Sequence, residues 1–259
     1  MDGKNIALKR KQAERNVKEH IDEILSAAAT DIAKEALSIR LPSSEALFEK
    51  SVWAKAYGVI EKAENDINDY IIAYSKASIS VIGDKDTGAT GRLLASEMFG
   101  KTFKERSSEY IRYFFNDCVK IIYAARKMKT KSENIERLVQ SEFKDPYNGG
   151  TIAEASAKNV NIPVDKRKHG LYKSGYGNII RNAQGTIALA WGKEEYNYAK
   201  RNGAVGFIPH RGSSYPCDLC DSHAERFHKI GDDDDPPPLY HSRCCCWTTY
   251  VFENETEGE

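Results

Sequence analysis

Five of the six cysteines lie in the thirty residues from Cys217 to Cys246. They fall in two groups, Cys217-Asp-Leu-Cys220 and the run Pro236-Pro-Pro238-Leu-Tyr-His241-Ser-Arg-Cys244-Cys245-Cys246-Trp247, separated by a loop that carries Asp232 to Asp235. The segment from about 203 to 252 is short and polar, and domains of that size commonly depend on a staple rather than on a buried core. Cys-x-x-Cys lets one tight turn bring two thiolates to one ion, and His-x-x-Cys lets a second turn add an imidazole and a third thiolate. The expected ligands are therefore Cys217, Cys220, His241 and Cys244, a closed tetrahedral shell around a structural zinc. Cys246 is the alternative to Cys244, although alternation along an extended strand is expected to point it elsewhere. His223 and His228 are rival imidazoles, read as exposed side chains because their surroundings are polar.

Other uses of the thiols fit less well. A redox pair usually opens a helix in a βαβ setting, whereas prolines and aspartates surround this one. Disulfides would call for export, and Met1-Asp-Gly-Lys-Asn-Ile-Ala-Leu-Lys-Arg-Lys lacks the apolar centre of a signal peptide. The chain is thus expected to fold in a reducing cytoplasm. No run approaches the roughly 18 to 20 apolar residues of a membrane helix. Formal net charge is zero, so no global field draws the chain onto nucleic acid or an anionic membrane. A filled metal shell leaves no position for a catalytic water, which makes the expected role architectural rather than enzymatic.

Ahead of the cysteines, helical periodicity dominates. Ala13, Val17, Ile21, Ile24, Leu25, Ala28, Ile32 and Ala36 recur every three or four positions and predict a helix from about Asn5 to Ile39, stopped by Leu41-Pro42-Ser43-Ser44. Trp53, Ala56, Tyr57, Ile60, Ile67, Ile71 and Tyr74 predict a second from about Glu45 to Tyr74. The glycines of 83–91 read as a connection, because no Gly-Lys-Ser/Thr signature ends them. Tyr110, Phe114, Cys118, Ile121, Ile122 and Ala125 mark the buried face of a third helix, with Cys118 as a small core residue. A shorter helix starts near Ser132, and a long one after Tyr172 carries Ile180, Ala183, Ile187, Trp191, Glu194 and Tyr198 on one stripe. Strands are expected at 203–208 and 246–252, on either side of the knuckles.

The fold class predicted is mainly α, with long amphipathic helices followed by a small zinc-stapled α+β domain. The expected division is an amino-terminal helical region at 1–91, a helical part at 92–150, a carboxy-terminal domain with long helix and knuckle at 151–252, and a frayed tail at 253–259. Two basic groups, Lys9, Arg10, Lys11 and Arg15 in the first helix and Lys166, Arg167 and Lys168 further on, are candidates for a contact with nucleic acid, against the plainer reading of solvated faces.

Residues 92 to 252 resemble the phage Mu F-like minor head proteins, also called head morphogenesis proteins. The likeness rests on Gly100-Lys-Thr-Phe-Lys-Glu-Arg106, on Leu171-Tyr-Lys-Ser-Gly-Tyr-Gly-Asn-Ile-Ile-Arg181-Asn182, and on the closing Cys-x-x-Cys, Pro-Pro and His-x-x-Cys-x-Cys, in that order. It implies a virion component made in an infected bacterium, bound to the portal and other head proteins inside the head, and needed for assembly, packaging or genome delivery. The family usually closes on His-Pro-x-Cys-Arg-Cys. Here Cys245 stands between the last two cysteines, which leaves open which thiolates bind. The alternative reading is a zinc-stapled nuclease or toxin-type effector, for which His223, His228 and Asp232 to Asp235 are the nearby candidates for a second site.

Overall fold

The computed structural model describes residues 3–43, 47, 49–82, 102–144, 175–212, 214, 216–231 and 244–253. Six helices and three strands are found among them: α1 Gly3–Ser38, α2 Ala54–Ile79, α3 Phe103–Lys127, α4 Ser132–Glu142, α5 Gly175–Arg201, β1 Ala204–His210, α6 Asp218–Asp221, β2 His228–Lys229 and β3 Trp247–Phe252. The chain is mainly helical with a small sheet near its carboxy terminus, as expected. No described helix is long and apolar enough to cross a membrane.

Two compact units are present, and they do not follow the sequential division. One comprises Met1–Lys18, Tyr70–Phe103 and Arg181–Glu259; the other comprises Glu19–Asp69 and Lys104–Ile180. Helices α1, α2 and α5 each contribute one part to either unit.

The second unit is an aromatic and aliphatic helical core. Phe115 takes the edge of Trp53 at 6.2 Å and the ring of Tyr57 at 4.8 Å, while Phe143 stands edge-on to both Phe114 and Tyr176 at 5.4 and 5.5 Å. Cys118 is fully buried, and that burial pushes its thiol well above the ordinary range, as befits a core residue. The first amide of α5, Gly175 N–H, donates to Asp117 at 2.8 Å. A Cβ at Gly175 would meet the backbone nitrogen of Phe114 at 2.0 Å, so only glycine lets α5 begin there. Helix α2 begins at Ala54, later than periodicity predicts. The Trp53 indole donates to Leu47 O at 2.7 Å, and Val52 and Trp53 N–H donate to Glu49 O and Lys50 O, so residues 50–53 form turns ahead of the helix.

The first unit places the sheet beside the carboxy-terminal part of α5. β1 is central in the order β2-β1-β3, with both pairings antiparallel. β2 has only two residues, too few for any period to reveal. It forms because His228 pairs opposite Phe207 and stacks on its ring at 5.1 Å. Tyr196 of α5 meets the same Phe207 edge-on at 5.9 Å and accepts Gly231 N–H at 3.0 Å, which ties helix to sheet. Trp191 donates from its indole to Ser78 Oγ of α2 at 2.9 Å. Most faces of α5 are buried, so its sequence stripe understates its burial.

Candidate metal centre

The first knuckle is assembled by short-range hydrogen bonds. Cys217 is extended, with φ −152 and ψ 102, and the chain then makes the single turn α6. Asp221 N–H donates to Cys217 O at 2.8 Å, while its side chain accepts Cys217 N–H at 2.9 Å and the Arg211 guanidinium at 2.6 Å. His223 N–H and Ala224 N–H both donate to Cys220 O, at 3.2 and 2.9 Å. These bonds turn Cys220 inward while Leu219 beside it stays exposed.

The second arm is the extended run before β3. Cys244 and Cys246 are 0% and 4% exposed, and Cys245 between them faces solvent. The Sγ atoms of Cys220, Cys244 and Cys246 all lie within 4.8 Å of one another, and Cys220 and Cys244 are 3.7 Å apart. None of the three is joined in a disulfide. Four thiolates about 2.3 Å from one tetrahedral ion stand about 3.8 Å apart, so this spacing fits sulfur ligands of a shared metal. Cys217 packs against the cluster, which also includes the buried Ala188 of α5. These cysteines could hold a metal ion.

Two expectations are corrected. Cys246 does not point elsewhere: residues two apart share a face of an extended chain, so alternation turns Cys245 away and brings Cys244 and Cys246 in together. His228 is not an exposed side chain. It is buried against Phe207, and its Nε2–H donates to His223 O at 2.9 Å. His241 and Asp232 to Asp235 lie outside the described residues.

As acids the three thiols share charge unevenly. Cys246 is lowered to about 5, chiefly by accepting the Cys244 thiol's hydrogen bond, with help from Gly212 N–H, Cys220 and the Arg211 charge against the opposing effect of burial. Cys244 is pushed well up by donating to Cys246 and by its own burial, and Cys220 is raised to about 12, first by burial. The cluster thus concentrates negative charge on one sulfur and resists placing it on the others unless a cation is supplied. Gly212 makes the approach possible: a Cβ there would meet Cys245 O at 1.8 Å.

Behind the second arm lies a residue read differently from sequence. Arg10, a candidate nucleic-acid contact by sequence, is 1% exposed and cannot reach a phosphate. Its Nη2 donates to Cys246 O at 2.7 Å and more weakly to Cys244 O at 3.5 Å. Its Nε lies 3.7 Å from Glu14 Oε1, and the buried Glu195 feels its charge. Lys9 and Arg15 are exposed, and Lys11 is ion-paired with Glu14 at 2.7 Å. Lys166, Arg167 and Lys168 lie outside the described residues. Nothing in the local sequence distinguished Arg10 from its basic neighbours except its phase: it falls four residues after the buried Ile6 and three before the buried Ala13.

Beyond the cluster, His210 stacks on Trp247 at 4.0 Å across the β1–β3 pair. Its Nδ1–H donates to the Glu225 carboxylate at 2.9 Å, and its Nε2 meets Thr249 Oγ1 at 2.9 Å. Glu225 holds the left-handed conformation, φ 59, with its own N–H bonded to Pro209 O at 2.8 Å. These bonds secure the turn that follows the first knuckle to the central strand.

Comparisons with protein-family models, curated proteins and solved structures return no match for the chain.

Proposed function

We propose that the ion is zinc, held for structure, and that the chain is a phage minor head protein of the Mu F-like kind acting in virion assembly and genome packaging or delivery. Soft thiolates favour zinc, copper(I) or iron–sulfur clusters, and a tetrahedral sulfur-rich shell around one ion suits zinc. Cys220, Cys244 and Cys246 supply three ligands on this reading. The fourth comes from Cys217, which packs on them, or from His241. Zinc would contribute on the order of 10 kcal/mol to folding the closing module and would leave no open position for chemistry.

The observation that carries this reading is the convergence of Cys220, Cys244 and Cys246, which belong to the most distinctive part of the Mu F-like pattern, on one buried point. The nuclease alternative finds less support. His228, one of its candidate bases, is engaged by His223 O and stacked on Phe207.

The protein would act inside the head, bound to the portal and its neighbours, after assembly in the host cytoplasm. The test is co-expression with the portal and capsid proteins of the same genome, followed by purification of particles. The reading expects the chain in the particles, in few copies, and co-purifying with the portal. Particles that assemble and package DNA without it, together with no association with the portal, would overturn it.

A further inference from the structure

We propose that metal loading of the cysteine cluster controls whether residues 3–18, the amino-terminal part of α1, stay docked on the closing module. The inference rests on the metal reading above and extends it from a local staple to a latch between two ends of the chain.

The latch is the Arg10 guanidinium. It is buried, and its short hydrogen bond goes to the carbonyl of Cys246, a residue whose thiol faces the ion site. Its second, longer bond goes to the carbonyl of Cys244, the other inward thiol of the same run. Backbone conformation at these two residues therefore sets both the sulfur positions and the acceptors for Arg10. An ion that fixes one fixes the other.

The surroundings make the guanidinium depend on these acceptors. Arg10 Nε has no hydrogen-bond partner among the described residues, and Glu14 Oε1 nearby is likewise unsatisfied. Removing the acceptors would strand a buried charge, which undocking into water relieves. Three further features place the same segment against the same unit. A Cβ at Gly3 would meet Thr248 O of β3 at 1.9 Å, Gln184 of α5 donates to Glu14 O at 3.2 Å, and Asn16 donates to Tyr74 OH of α2 at 3.0 Å. Release would bare Ile6, Ala13 and Val17, all buried in the docked state.

Hydrogen exchange read by mass spectrometry tests this on the full chain, with zinc content measured on the same samples. In reducing buffer, the zinc-loaded chain is compared with the chain stripped by a chelator. Stripping is expected to speed exchange across residues 3–18 on the order of ten-fold or more, while α3 is unchanged. The zinc-loaded Arg10→Met variant should open residues 3–18 while β3 stays protected. By linkage it should also bind zinc more weakly, by the factor through which zinc favours docking. Equal protection of residues 3–18 with zinc bound and with zinc removed would overturn the latch and leave the metal reading standing. A native chain that binds no metal would overturn both. The chelation arm needs no variant, so an Arg10→Met chain that fails to fold does not remove the test.

Discussion

Arg10 Nη2 and the carbonyl oxygen of Cys246 are 2.7 Å apart, although 236 positions separate the two residues in the chain. A guanidinium so enclosed is held by acceptors and counter-charges rather than by solvent, and the loss of one partner from such a group typically costs about 3–5 kcal/mol. Arg10→Gln should therefore lower the free energy of unfolding by about 3 kcal/mol, measured by denaturant titration. Lys9→Gln, one residue away and exposed, should change it by less than about 0.5 kcal/mol. Equal effects would mean that burial does not govern this part of the helix.

Glu195 makes stability depend on pH. Burial raises its carboxyl from the ordinary 4.5 to about 7, with the Arg10 charge pulling the other way. Between those values the folded chain holds a proton that the unfolded chain has released. The stability from this group is fully present below about pH 4.5 and is lost as pH rises through 7. Glu195→Gln should flatten that slope and make the protein more stable at pH 8 by about 2–3 kcal/mol. Melting curves of both proteins from pH 5 to 8 measure it.

The three consecutive cysteines should separate cleanly. Cys245→Ser should retain metal and stability, since its side chain faces solvent. Cys244→Ser and Cys246→Ser each remove a buried sulfur from the cluster and should lose most of the bound metal. Metal content after dialysis against a weak chelator reads the difference. Retention of metal by Cys246→Ser alone would return the ligand role to Cys244 without its partner.

Gly212→Ala tests the close approach beside the cluster. The added methyl would collide with the backbone oxygen of Cys245 and displace the amide that donates to Cys246. Disturbing a bond to a ligating sulfur typically weakens metal affinity 10- to 100-fold, and competition with a chromophoric chelator should find a loss of about that size.

Sequence periodicity located the long helices because each has at least one face that is apolar at 3.6-residue spacing. Ile21, Leu25 and Ile32 fall where their phase predicts, in the core. α2 starts only at Ala54 because residues 50–53 are in turns, and the Trp53 indole bond to Leu47 O beside them is a particular contact that no periodicity encodes. β2 was invisible for a similar reason, since two residues depend on what Phe207 offers opposite them. At the cysteine cluster, two of the residues singled out by spacing, Cys220 and Cys244, come together. The inclusion of Cys246 was legible from alternation itself, because positions two apart share a face. Arg10 was not legible from its charge. Only the fold brings the second turn of α1 against the end of the chain.

Zinc-edge X-ray absorption on the purified full chain, with zinc quantified in the same sample, asks directly whether the closing cysteines grip one ion. About one zinc per chain with three or four sulfur neighbours near 2.3 Å is the predicted spectrum. A chain without metal, or an ion surrounded mainly by oxygen and nitrogen, would contradict the account.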